Sequence, residues 1–358
     1  MLFRTFFADC RKNAPLRWVG MAMQEGLAAK ADLRLLRDRR AANRTAVWLG
    51  MFVGTYSLLA GILFPELYLE NFKAFLLDFL PTALLICFIG LLGTGILRRP
   101  ASPLSYLAEI MAARGLGAIA VAFGTTVGVA AFWTFKYHIP DIVPFYADPL
   151  LANLDATLHF GDPWRLLHAI IPAGAMPMLV IIYFPVWLFL YFAAITSAAL
   201  CSEPLRTRYM FAFAVTTIGL GTVMAALLAS VGPIFYDAFF GGDRFADLRA
   251  ALGQSDAARP VLAIADRLYS AHMHGAKDVF VGISAMPSIH VAMATLNALF
   301  FSQLNRRLGY IAWGFAALTL LCSVYFGWHY AVDGYVSILA VALIWRITGH
   351  LCGGGDNV

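Results

Sequence analysis

Residues 284–290 read SAMPSIH and residues 325–333 read YFGWHYAVD. Both clusters interrupt sequence that is otherwise apolar enough for a membrane interior. Ionisable side chains at membrane depth are costly and are usually kept for function, so His290, His329 and Asp333 are candidate site residues. The sequence therefore predicts a membrane protein with a polar site where the two clusters come together.

The spacing of these residues predicts how their side chains are arranged. His329 and Asp333 are four residues apart, and a turn at Gly327 places both in the opening turns of the last predicted helix, on one face. Pro287 suits the first position of another helix, with His290 in its first turn. Free N–H groups at the amino ends of helices attract anions, so a phosphate is expected between the two ends.

The two clusters resemble the type 2 phosphatidic acid phosphatase (PAP2) superfamily, especially its inositol phosphorylceramide synthase-like and sphingomyelin synthase-like branch. The family's Pro-Ser-x-His element matches Pro287, Ser288 and His290, and its His-x-x-x-Asp element matches His329 and Asp333. The resemblance implies that His329 is a nucleophile that forms a phosphohistidine and that Asp333 orients it. It implies that His290 protonates the leaving group and then activates the acceptor, with no cofactor and no metal.

The sequence leaves several candidates for the cation that balances the charge of the phosphate. The phosphatases carry a Ser-Arg pair before the second histidine, where this chain has Cys322 and Ser323, and their upstream Lys-x6-Arg-Pro element is not evident. The candidates are Arg244, Arg249, Arg259, Arg267 and Lys277. The sequence does not choose among them, and Lys277, Arg267 and Arg244 are retained with Ser288 as predicted substrate-binding residues.

The resemblance implies an integral membrane enzyme that acts on a lipid-linked phosphate or phosphodiester. With a lipid or polyol alcohol as acceptor it is a phosphotransferase, and with water the same residues make a lipid phosphate phosphatase. The sphingolipid-type transferases also tend to lack the arginine, which favours transfer. The expected partners are a membrane lipid and an alcohol or water, and no nucleic acid.

Composition predicts an all-α, polytopic membrane helix bundle. The 358 residues are 61% hydrophobic and 13% charged, which is too apolar for a soluble domain. The predicted domains are a basic amphipathic arm (1–44), a membrane domain with two amino-terminal spans and a PAP2-like six-helix core (45–352), and a tail (353–358). About eight spans are predicted, at residues 45–64, 79–97, 116–133, 178–200, 210–231, 287–304, 310–326 and 328–346.

Eight spans place both ends of the chain on one side of the membrane. The short connections on that side are rich in arginine, as at Arg98, Arg99, Arg306 and Arg307, so the positive-inside rule makes it cytoplasmic. The two histidines and the aspartate then face the periplasm of a bacterial inner membrane. The basic arm suits an anionic lipid surface, with a merely solvated arm as the alternative.

Two other functional classes are weaker. His272 and His274, with Asp266 or Asp278 nearby, form a poor metal pattern because a second ligand pair is missing. A transporter usually places polar groups near the membrane midplane, whereas these spans are nearly free of ionisable residues away from their ends. A Walker loop and a dinucleotide fingerprint are both missing from the sequence, which leaves ATP-driven and NAD-dependent mechanisms unsupported.

Overall fold

The computed structural model describes residues 40–99 and 101–353, and these residues are mostly helical, without a strand. Most of the predicted arm, residues 1–39, and the end of the tail lie outside the described residues. The helices are α1 (Arg40–Leu63), α2 (Pro65–Arg98), α3 (Pro103–Ile142), α4 (Asp148–His159), α5 (Pro163–Ile170), α6 (Ala173–Ala199), α7 (Leu205–Leu227), α8 (Pro233–Phe240), α9 (Ala246–Gly253), α10 (Arg259–His274), α11 (Ile289–Leu304), α12 (Arg306–Tyr325) and α13 (Ala331–Leu351).

The prediction of a polytopic helical membrane protein is confirmed. Seven described helices, α1, α2, α3, α6, α7, α12 and α13, are long and apolar enough to cross a membrane. The remaining predicted span, residues 287–304, corresponds to α11, which has 16 residues. At 1.5 Å per residue this helix is about 24 Å long, somewhat less than the hydrocarbon thickness of a bilayer.

The last three helices form an antiparallel arrangement that brings two helix starts to the same end of the molecule. Asn305 joins α11 to α12, and its Oδ1 accepts hydrogen bonds from Arg307 N at 2.8 Å and Leu308 N at 3.2 Å. The chain then reverses again into α13, so α11 and α13 begin side by side. At the opposite end, Thr45 Oγ1 donates to Leu351 O at 3.2 Å, which ties the start of α1 to the end of α13.

Two buried clusters of apolar side chains hold the bundle together. One packs α4, α8, α9 and α10 over the end of α12 and the start of α13, and includes Leu151, Leu248, Val261, Phe326 and Tyr330. The other joins α7, α11 and α13 to the amino-terminal helices, and includes Tyr209, Phe213, Leu296, Phe300 and Val341. The short helices α4, α8, α9 and α10 therefore form a packed cap over the end where α11 and α13 begin.

Candidate active site

The first histidine lies at the start of α11, which begins two residues later than predicted. Ser288, not Pro287, ends the preceding loop, and its backbone is extended with φ −73° and ψ 106°. Its Oγ accepts a hydrogen bond from Val291 N at 3.4 Å, so the serine caps the helix. His290 is in the first turn, as the sequence predicts. The side chain of Ser288 is fully buried in this capping role.

The second histidine lies before α13 and not on it, which corrects the expectation that His329 and Asp333 share a helix face. Trp328 N and His329 N both donate to Ser323 O, at 3.0 and 3.3 Å, and hold residues 327–329 in a turn that follows α12. The helix starts only at Ala331, after Tyr330. Asp333 still approaches the histidine, because its side chain folds back toward the turn. Its Oδ2 accepts a hydrogen bond from Tyr330 N at 2.9 Å.

The His329 ring is oriented by two acceptors on its Nδ1 side. Nδ1 lies 2.8 Å from Ala285 O and 3.5 Å from Asp333 Oδ2. A carbonyl oxygen only accepts hydrogen bonds, so Nδ1 carries the proton and donates to Ala285 O. This tautomer leaves Nε2 with a free electron pair. The fully buried carboxylate beside the ring favours positive charge on the imidazole whenever the reaction creates it.

The two histidine rings lie near one another, with their centroids 6.4 Å apart. The His290 ring stacks on Tyr183, at 4.9 Å between centroids, and packs against Trp187 at 4.3 Å. Trp187 Nε1 also donates to His290 O at 3.0 Å, which fixes the backbone at this point. The sequence prediction that both histidines meet at one end of the bundle agrees with this geometry.

Both rings line a cavity of about 170 Å³, called here the histidine cavity. Its polar lining consists of His290, His329, Ser284 and Lys136. Aromatic and aliphatic side chains form the rest of the wall, among them Trp133, Tyr183, Phe235, Ile264, Leu268, Phe280 and Trp328. Ile264 and Leu268 belong to α10, so the cap described above closes the cavity on one side.

Lys136, near the end of α3, is the site residue that sequence reasoning missed. It is the one Lys or Arg among the described residues that line the histidine cavity, and its Nζ lies 5.1 Å from the centre of the Trp133 ring. Gly282 allows the loop before α11 to pass close to it, because a Cβ there would lie 3.1 Å from the Lys136 carbonyl carbon. The available signal was a lysine at the histidine end of an apolar span.

The predicted cations lie outside this lining, and each has a carboxylate partner. Lys277 Nζ is 3.5 Å from Glu66 Oε2, and Arg267 forms an ion pair with Asp278 that lowers the pKa of that carboxyl. Arg244 Nη2 is 3.2 Å from Asp162 Oδ1. The other two candidates form the pairs Arg249–Asp266 and Arg259–Asp256. A role for these cations in substrate binding therefore stays a prediction.

The amino end of α13 is occupied by a side chain of the protein. Ala331 N donates to Asp155 Oδ2 at 3.0 Å, and Val332 N donates to Asp155 Oδ1 at 3.1 Å. The sequence predicts a phosphate bound between the amino ends of α11 and α13. At the amino end of α13, the Asp155 carboxylate accepts the N–H groups that were expected to bind this phosphate. This corrects the expectation for α13, while α11 contributes Ile289 and His290 directly to the histidine cavity.

The weak metal pattern does not gain support from the geometry. Within residues 40–99 and 101–353, no group of three or more His, Cys, Asp or Glu side chains is placed to hold a metal ion. His272 packs against the Phe145 and Phe239 rings, at 5.7 and 5.2 Å between centroids. His274 Nδ1 lies 2.8 Å from Ser270 O in its own helix.

The sequence was compared with models of known protein families, and the match agrees with the two histidines found in the cavity. Residues 149–347 match the family model of the PAP2 superfamily, which covers more than half of the chain. The protein therefore belongs to the PAP2 superfamily and is an enzyme of the phosphatase or phosphotransferase type. No curated protein and no solved structure gives a match. Lys136 lies upstream of the matched residues.

Proposed function

We propose that the protein is an integral membrane phosphotransferase that acts on a lipid-linked phosphate or phosphodiester. It transfers the phospho-headgroup to a lipid or polyol alcohol through a phosphohistidine at His329. One observation carries the proposal: the His290 and His329 rings line one cavity, 6.4 Å apart, and Nδ1 of His329 is engaged so that Nε2 is free to attack.

The first half-reaction forms a bond between His329 Nε2 and phosphorus and breaks the bond between phosphorus and the leaving oxygen. His290 donates its proton to that oxygen as it departs. Positive charge develops on the His329 ring during the attack, and Asp333 Oδ2, 3.5 Å from Nδ1, stabilises it. In the second half-reaction His290 takes the proton of the acceptor hydroxyl, whose oxygen attacks phosphorus and releases His329.

Lys136 supplies the positive charge that the phosphoryl oxygens require in the transition state. Lys136 is the one Lys or Arg residue in the described lining of the histidine cavity, and its side chain is not within ion-pair distance of any described carboxylate. The five arginines and lysines predicted from the sequence are each paired with a carboxylate elsewhere. This difference supports Lys136 as the principal cation of the site.

Two features favour an alcohol over water as the acceptor. Trp133, Phe235, Phe280 and Trp328 give the cavity a largely aromatic wall, and such a wall restricts bulk water. Ser323 is buried and its Oγ donates to Leu320 O at 2.7 Å, so it provides no phosphate contact in place of the family arginine. The resemblance to the sphingolipid-type and inositol phosphotransferases points the same way. Lipid phosphate hydrolysis at the same site is the second candidate.

We further propose that the histidine cavity faces the periplasm of a bacterial inner membrane and that both chain ends are cytoplasmic. The support is the arginine-rich character of the other end of the bundle, including Arg306 and Arg307 at the start of α12. A cysteine introduced at exposed Asp256 on the cap should then react with a membrane-impermeant maleimide in intact cells. Labelling only after cell lysis would reverse the orientation.

The function is tested by incubating the purified protein with phosphatidate and with phosphodiester lipids, each with and without added alcohols, and identifying the products by mass. Transfer predicts a new phosphodiester that contains the added alcohol. Phosphate or a free phospho-headgroup as the sole product in every mixture would favour hydrolysis. Absence of any phosphorus transfer, together with an unmodified His329, would contradict both candidates.

A further inference from the structure

Resting on the function proposed above, we propose that two buried carboxylates of α4, Asp148 and Asp155, are positioning residues that hold the His329 ring in its reactive orientation. The mechanism above uses neither of them. Asp148 has no solvent exposure and Asp155 has 3%. Both point toward the polypeptide segments that form the histidine cavity, although α4 itself does not line it.

Asp155 fixes the chain immediately after the nucleophile. Its two oxygens each accept one backbone N–H, from Ala331 at 3.0 Å and from Val332 at 3.1 Å. These donors are the first N–H groups of α13, which have no partner within the helix. Because His329 lies just before these residues, a shift at the amino end of α13 moves its backbone directly.

Asp148 fixes a second segment and joins it to the first. Its Oδ2 accepts from Val231 N and its Oδ1 from Gly232 N, both at 2.8 Å. Oδ1 also accepts from the Tyr330 hydroxyl at 2.9 Å. One carboxylate therefore connects the loop before α8 to the residue that follows His329.

Ser230 carries this constraint to the hydrogen-bond partner of His329. Ala285 N donates to Ser230 O, and Met286 N donates to Ser230 Oγ, both at 2.9 Å. The Ala285 carbonyl in turn accepts from His329 Nδ1 at 2.8 Å. The loop held by Asp148 thus determines where the acceptor of the His329 ring proton lies.

Gly232 shows how closely these segments approach. Its φ is +90°, and a Cβ at this position would lie 2.5 Å from Trp328 O. A side chain here would push apart the loop that Asp148 holds and the turn that carries His329. The close contact means that small shifts in the loop are passed on to the turn.

Both carboxylates make these hydrogen bonds in their ionised form, because every partner donates an N–H or O–H group to a carboxylate oxygen. Burial raises the pKa of Asp148 and of Asp155, and the backbone N–H groups that they accept from oppose this rise. His159 also faces Asp155, with Nδ1 3.6 Å from Oδ1. An asparagine at either position keeps the size but turns an amide N–H₂ toward a backbone donor, which breaks one contact.

The experiment compares Asp155→Asn and Asp148→Asn with the matched control Asp256→Asn, a carboxylate that is exposed on the cap. We expect phosphohistidine formation in a single turnover to slow by about 10- to 100-fold in the first two variants, because displacement of a reacting group by about 1 Å is this costly. We expect KM to change less than about threefold, because neither residue lines the cavity. The control should match the wild type.

Ser230→Ala provides a milder variant that removes only the hydroxyl acceptor of Met286 N, should the asparagine variants fail to fold. It should slow phosphohistidine formation several-fold with only a small fall in melting temperature, because one buried N–H loses its acceptor. Wild-type rates in every variant that folds would overturn the positioning role. If the wild type itself forms no phosphohistidine at His329, the proposed function fails, and this outcome is distinct from failure of the positioning role.

Discussion

The two histidines of the cavity are held in opposite ways. His329 is surrounded by hydrogen-bond acceptors, with Ala285 O and Asp333 Oδ2 on its Nδ1 side. His290 lies among aromatic rings, stacked on Tyr183 and against Trp187. When two titratable groups of one site lie in different environments, they usually take different acid–base roles. The comparison teaches that the ring with a fixed tautomer suits attack on phosphorus, and the ring without a fixed partner suits proton transfer.

Replacing the nucleophile should have the largest effect. His329→Ala removes the group that bonds to phosphorus, so turnover should fall by about four orders of magnitude or more. The measurement is steady-state turnover of the preferred lipid, with acid-labile, alkali-stable phosphoenzyme as a second readout. His274→Ala, an exposed histidine of α10, is the matched control and should behave as wild type. Normal turnover in His329→Ala would reverse the assignment.

His290→Ala should lower turnover by about 10²- to 10⁴-fold, because it removes the general acid and base. A substrate with a 4-nitrophenoxy leaving group does not need protonation as it departs. This substrate should therefore restore phosphoenzyme formation in His290→Ala but not in His329→Ala. Rescue of both variants, or of neither, would contradict the division of roles between the two rings.

Lys136→Met keeps the length of the side chain and removes its charge. We expect kcat/KM to fall by about 10²- to 10³-fold, as for loss of one preorganised donor to a developing anion. Lys277→Met is the matched control, since that ammonium is exposed and 3.5 Å from Glu66, and should cost less than about fivefold. A larger loss of kcat/KM in Lys277→Met than in Lys136→Met would instead assign phosphate binding to Lys277.

Asp333→Asn tests the carboxylate that distinguishes the surroundings of His329 from those of His290. The amide oxygen still accepts from Tyr330 N, so folding should be intact, while stabilisation of charge on the ring is lost. We expect phosphoenzyme formation to slow by about 10²-fold, with the melting temperature as the control. An unchanged rate would remove the orienting role and leave Ala285 O as the effective partner of the ring.

The sequence was sufficient for the features that depend on local pattern. Apolar runs predicted the membrane helices, and the spacing of Pro287, His290 and His329 predicted two histidines at one end of the bundle. It did not predict that His329 precedes its helix, because the turn depends on Ser323 O, which accepts from Trp328 N and His329 N. Hydrogen bonds across a loop leave no periodic signal in the sequence.

Long-range partners account for the other gaps. Lys136 reaches the cavity from α3, and Asp155 reaches α13 from α4, over sequence separations that no spacing rule spans. The five arginine and lysine candidates lie in residues 244–277, just before the first histidine cluster. In the structure each of the five is neutralised by a carboxylate.

The location of Lys136 on α3 has a consequence for the minimal unit of this enzyme. Residues 149–347 contain both histidines and Asp333, yet a fragment restricted to them would lack the lysine of the cavity. It would also lack Asp148, whose oxygens join Val231, Gly232 and Tyr330. The smallest autonomous catalytic fragment should therefore include α3 and Asp148 as well as the matched residues.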